Sequence, residues 1–187
     1  MITDNNSEHE KPEEFEDEES LKAEYAELYD KMKNADAEHE TEFVEPSPEE
    51  KAKSMKLAFD CVKIGDSMRA QDIKVLDVTG KSSIADFIVL MTGYNKRQIQ
   101  GIANEIEKEM KKQKMPIGGV EGYDISWWIL VDLNNVIVHI FYEDARQYYE
   151  LDTLLQDATV IFEGDAENLE NVDDYMDETD ETSTMED

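Results

Sequence analysis

Acidic charge is concentrated at the two ends of this chain, and that distribution confines any packed core to the middle. Residues 1–48 carry 17 acidic and 4 basic side chains, residues 49–162 carry 18 and 14, and residues 163–187 carry 12 and none. The formal net charge of −29 over 187 residues therefore belongs mostly to the flanks. Segments with so little apolar content and so much like charge cannot bury enough surface to offset their ordering entropy. Residues 1–46 and 163–187 are accordingly expected to be disordered acidic extensions. Residues 20–33 stand apart within the first: Leu21, Tyr25, Leu28 and Met32 fall on one helical stripe. A helix that short is marginal alone, so it either forms transiently or docks on a surface. The middle, residues 47–162, has the length and near-balanced charge of one globular domain.

The domain opens on a helix signal. Ser47 caps, Pro48 suits the first helical position, and Glu50 three residues after the cap completes a capping box. Met55, Phe59 and Val62 supply the apolar stripe, and the helix is predicted to fade between Gly65 and Ser67. Ile73–Val78 is a short β-rich run. Ile84–Met91 is almost continuously apolar, as a central strand covered on both faces would be. Asn95 with Gln98 caps a second helix, with Ile99, Ile102, Ile106 and Met110 at helical spacing and Lys111, Lys112 and Lys114 at its end. Ile117–Glu121 reads as a short strand. Trp127–Val131 and Val136–Tyr142 are two strands joined by the turn Asp132-Leu133-Asn134-Asn135. Ala145 to about Gln156 reads as one closing helix. The order α-β-β-α-β-β-β-α predicts an α/β (α+β) domain: a mixed sheet flanked by helices.

Little in this pattern promises catalysis. There is no phosphate-binding loop of Walker type and no dinucleotide fingerprint, so no cofactor is expected. The single Cys61 excludes a disulfide framework and a cysteine zinc cluster. His9 and His39 lie in the acidic flank, and His139 reads as a structural strand histidine, so no metal site is expected. No run approaches the ~18 apolar residues of a membrane span. The acidic start does not resemble a targeting segment, and cytoplasm is the expected compartment.

The nearest enzymatic signal is the turn from Gly80 through Lys81, Ser82 and Ser83 into Asp86. It is similar to the opening of a nucleotidyltransferase site, but that chemistry needs a second carboxylate to hold magnesium. Two residues after Asp86 stands Ile88; Asp77 and Asp132 are the candidates to supply the missing group. Otherwise Asp86 accepts hydrogen bonds in the turn or lies at a contact surface. Glu121, in the glycine-rich run 118–122, is either a solvated loop acid or a fixed contact group. Glycine there serves φ > 0 in a tight connection. Trp127 and Trp128, adjacent in a strand, should point to opposite faces. Trp128, Leu130 and Asp132 would share one face as a partner-binding surface, unless both tryptophans pack under helices. Nucleic acid is disfavoured by the overall charge, although Lys111, Lys112 and Lys114 form a local basic patch. No sequence-specific nucleic-acid binding is expected.

Several blocks occur in order: Asp72–Val78, Lys81–Asp86, Gly93 with Arg97-Gln98, Gly119–Gly122, Trp128–Asp132, Val136–Phe141 and Arg146–Leu151. Together they resemble the Iojap-like ribosomal silencing factor family. The resemblance implies an α/β domain shaped like nucleotidyltransferases but without their activity. It implies binding to the large ribosomal subunit through the large-subunit ribosomal protein numbered fourteen. Occupying that site would block joining of the small subunit and repress translation. It also implies homodimers in some members, and it assigns Trp128 to the partner contact. By neighbourhood the expected contact set extends to Leu130, Asp132, Glu121, Gly122 and Tyr123, with Lys81, Ser83 and Asp86 from the turn. Tyr142 and Leu155 depart from the family pattern, where a histidine and a tryptophan are common.

Overall fold

The computed structural model describes residues 45–164. The expected helix at 20–33 lies outside them, as do residues 1–44 and 165–187, whose expected disorder is therefore outside the described residues.

Helix α1 spans Pro48–Ser67. Its capping box is formed: Ser47 Oγ accepts from the Glu50 N–H at 3.3 Å, and Glu50 Oε2 accepts from the Ser47 N–H at 2.9 Å. The chain turns through Arg69, at φ 61, into β1 (Gln71–Asp77) and returns as β2 (Phe87–Gly93). Helix α2 spans Lys96–Lys112, with Asn95 Oδ1 accepting from the Gln98 N–H at 2.9 Å. Then come β3 (Gly119–Glu121), β4 (Trp128–Asp132) and β5 (Val136–Tyr142). Two short helices follow, α3 (Glu143–Tyr149) and α4 (Leu151–Leu154), and a last strand β6 (Thr159–Gly164).

The six strands form one mixed sheet in the order β3-β4-β5-β2-β1-β6. Only β2 and β5 are parallel, because α2, β3 and β4 carry the chain across between them. Helices α1 and α2 cover one face. Phe59, Val62, Ile99, Ile102, Ile106 and Met110 pack there against Val75, Val89, Ile129, Val131, Val138 and Ile140. Helix α3 begins to cover the other face, where Leu76, Val78, Ile88, Leu90, Phe141 and Ala145 form a smaller core. Strand β2 is buried along its whole length because it is central and covered on both sides.

Two features depart from the expected element order. The closing helix is broken at Glu150, whose φ of 48 lies in the left-handed region. Strand β6 was not expected. It pairs antiparallel with β1 and is anchored by Phe162, 4% exposed, which meets the Phe59 ring edge-on at 6.1 Å. Glu163 and Gly164, expected in the disordered tail, belong to this strand.

Candidate functional site

Alternation along β4 sorts its side chains. Ile129 and Val131 are buried under α2, while Trp128, Leu130 and Asp132 are half-buried on the opposite face. Register brings their neighbours in line. Leu130 lies between Glu121 of β3 and His139 of β5, Trp128 beside Phe141, and Asp132 between Gly119 and Ile137. Strand β3 has three residues, and among the described residues no strand pairs beyond it.

Trp128 is braced on three sides. Its ring stacks on Phe141 at 5.1 Å and tilts against Tyr149 at 5.0 Å and His139 at 5.4 Å. Its Nε1–H donates to His139 Nδ1 at 3.1 Å. That bond requires an unprotonated Nδ1. His139 is 7% exposed, and burial pushes its pKa down to about 3, so the imidazole is neutral. The result is an indole with a fixed orientation and a partly exposed surface.

The remaining expected contact residues divide. Gly122, at φ 73, is a backbone requirement: a Cβ there would stand 2.0 Å from the Trp128 carbonyl oxygen. Tyr123 turns to the other face, where its ring packs on the main core and its hydroxyl accepts from Asn104 Nδ2 at 2.7 Å. Lys81, Ser83 and Asp86 sit in the β1–β2 connection, away from the β3–β4 edge. Lys81 donates to the Asp157 carbonyl. Ser83 is exposed. Asp86 Oδ2 accepts from Ser54 Oγ at 2.8 Å and from Asn135 Nδ2 at 3.0 Å, fastening α1, β2 and the β4–β5 turn together.

The expected opposition of the two tryptophans does not hold. Strand pairing begins at Trp128, and Ser126, with φ 56, bends the chain just before the pair. Both rings pack against the smaller core. His139 and Tyr149 were not picked out as site residues. The signal for His139 was the hairpin, since its turn sets the register that places His139 opposite Leu130.

Other groups that could carry chemistry are held in local interactions. Asp77 pairs with Lys51 Nζ at 2.8 Å and accepts from the Thr79 N–H at 2.9 Å. Asp132 Oδ1 accepts from the Asn134 N–H at 2.7 Å. Burial pushes the Cys61 thiol up to about 12, which leaves it a packing group. Among the described residues no group of three or more His, Cys, Asp or Glu is arranged to hold a metal ion. No helix among them is long and apolar enough to cross a membrane.

Residues 49–187 match the family described as ribosomal silencing factor during starvation. The chain belongs to the ribosomal silencing factor family. The silencing factor of Halalkalibacterium halodurans is 40% identical over 111 residues, 59% of this chain and 92% of that one. That of Bacillus subtilis is 41% identical over 93 residues, 50% and 79% of the two chains. The chloroplastic Iojap protein of Zea mays is 28% identical over 110 residues, 59% and 48%. A crystal structure of a Chromobacterium violaceum protein superposes with a TM-score of 0.53 at 27% identity, covering 54% of this chain and 84% of that one. The family match runs on through the acidic C-terminal flank, whereas the resemblance seen in the sequence stopped at the domain.

Proposed function

We propose that this silencing factor docks on the large ribosomal subunit through the face of β3 and β4 that carries Trp128, with the large-subunit ribosomal protein numbered fourteen as its partner. The observation that carries this reading is the braced, half-buried Trp128 on an otherwise half-exposed strand face. A large aromatic with few rotamers left to lose binds with little ordering cost, and Leu130 extends its apolar area. Asp132 and Glu121 lie at the rim, where charges tune orientation rather than strength. Bound there, the domain blocks the approach of the small subunit and represses translation without catalysing a reaction. Its place of action is the cytoplasm, and a homodimer belongs to the same reading.

The test is co-sedimentation. The chain pellets with free large subunits and not with joined ribosomes. Trp128→Ala keeps the fold and weakens pelleting about tenfold or more, the loss expected for a truncated aromatic hot spot. Undiminished pelleting removes Trp128 from the contact. The alternative, a nucleotidyltransferase-like enzyme, is disfavoured by the hydrogen bonds that occupy Asp86 and Asp77. Titration with magnesium and a nucleoside triphosphate is expected to give no saturable binding.

A further inference from the structure

The basic stretch most evident in the sequence, at the end of α2, is mostly neutralised. Lys108, Lys111 and Lys112 hold Glu105, Glu107 and Glu109 at 2.7, 3.3 and 3.1 Å. Among the described residues, the side chains of Arg69, Lys96, Arg97 and Lys114 have neither ion pair nor hydrogen bond. Lys114 is alone at the far end of α2. The other three gather at its start.

Gln98 clamps them together. Its Nε2 donates to the carbonyls of Met68 and Arg69, each at 2.9 Å, and its Oε1 accepts from the Tyr94 N–H at 2.7 Å. The loop after α1 and the loop before α2 therefore share one surface. Arg69, Lys96 and Arg97 are exposed on it, and Tyr94, two residues before Lys96, is 51% exposed. Their charge has the sign that a helix start disfavours, so Lys96 and Arg97 do not serve α2. Asp66 and Asp72 are the acidic groups nearest in the chain, and Asp66 turns Oδ1 out of solvent. Glu143 and Asp144, which follow Tyr142 beside Gly93, lie at the same end of the sheet, yet the three cations make no ion pair among the described residues, so their charges stay available to a partner.

The patch also has a defined position relative to Trp128. Trp128, Phe141 and Thr92 form one cross-strand row, and Tyr94 follows Thr92 by two residues. Two strand spacings separate Thr92 from Trp128, roughly 10 Å. Both features sit at the same end of the sheet.

We infer that Arg69, Lys96, Arg97 and Tyr94 form a second contact of this domain, made to ribosomal RNA next to the protein partner. The inference rests on the docking proposed above. The cations neutralise backbone phosphates, and the exposed ring offers a stacking surface to an unpaired base. Such contacts read no sequence. An acidic protein segment would satisfy the cations but would leave the tyrosine unused.

The experiment compares full-length wild type with the double variant Lys96→Gln/Arg97→Gln. Affinity for free large subunits is measured across a salt series, and affinity for the isolated ribosomal protein numbered fourteen is measured in parallel. Removing two charges from the start of α2 does not threaten the fold, which circular dichroism verifies. The expected result is about tenfold weaker binding to subunits at low salt, and a salt slope shallower by about 1.5–2. Binding to the isolated protein stays unchanged. Hydroxyl-radical footprinting then shows an RNA protection that the variant loses. Unchanged affinity and slope on subunits overturn the inference while leaving the docking intact. Tighter binding of the variant also overturns it, since the patch would then hold an acidic segment such as the chain's own flanks. Failure of wild type to bind the isolated protein or the subunit overturns the docking itself and this inference with it.

Discussion

Two residues decide how the Trp128 face is built. Gly122 lets the chain turn from β3 towards β4 at φ 73, with the Trp128 carbonyl where a side chain would begin. That neighbour is backbone and cannot swing aside. Gly122→Ala is expected to cost roughly 2–4 kcal/mol, combining steric clash with the left-handed penalty. The measurement is the denaturant midpoint; an unchanged midpoint would mean the connection relaxes freely. His139 acts by charge state. Buried with a pKa of about 3, it stays neutral when folded, while an unfolded histidine titrates near 6.5. Between those values only the unfolded chain gains a proton. The stability tied to neutral His139 is therefore complete above about pH 6.5 and declines as pH falls towards 3. His139→Phe removes that dependence and leaves the indole without this acceptor. Matched pH–stability curves for the two proteins check it: the variant's curve should be flatter across this window.

The short helices α3 and α4 are fastened by one cation as well as by packing. Arg146 Nε and Nη2 donate to the two carboxylate oxygens of Asp152 at 2.9 and 3.0 Å, and Nη1 donates to Thr92 Oγ1 at 3.0 Å and to the Asp72 carbonyl. Lys74 reaches Asp152 from β1 at 3.0 Å. The hydrogen bonds from Arg146 hold the Asp152 carboxyl down at about 2. A depressed acid stabilises the fold above its unfolded pKa near 3.8, and that contribution is lost as pH falls towards 2. Asp152→Asn should cost about 1–2 kcal/mol at neutral pH. The figure is discounted because a third of the Asp152 side chain meets solvent. The variant should also show no Asp152-linked loss between about pH 4 and 2, read by thermal melts. This linkage explains what was illegible in the sequence. Tyr148, Leu151 and Leu155 continue at helical spacing through Glu150, so nothing marked the break. The Thr159–Gly164 strand adjoins an acidic run, which masked its short β-branched stretch of Thr159, Val160 and Ile161 before Phe162. By contrast α1, α2 and the β4–β5 hairpin were legible because cap, stripe and turn residues agreed with one another. Of the candidate site, the Trp128–Leu130–Asp132 face followed from alternation. The bend at Ser126 defeated the same rule for Trp127, and Tyr123 required knowledge of α2 beneath it.

Charge governs the molecule as a whole. The described residues 45–164 hold 20 acidic and 14 basic side chains, so most of the −29 lies beyond them on both sides. The described sheet, its two cores and the His139, Phe141 and Tyr149 rings against Trp128 lie within those residues, and a chain trimmed to 45–164 retains them. The charge of the flanks acts on docking through long-range fields. Phosphates on the subunit repel them, and the repulsion is screened within about 10 Å at 0.1 M salt. Salt also weakens the cationic contacts of the domain, but it does so in the full and the trimmed chain alike. The ratio of the two affinities therefore isolates the flanks. The trimmed domain is expected to bind free large subunits more tightly than the full chain at about 0.05 M salt, with the two converging near 0.5 M. A ratio of one throughout would leave the flanks without a docking role. A tighter full chain at low salt would mean that they are drawn to basic ribosomal proteins, so that attraction outweighs repulsion by RNA.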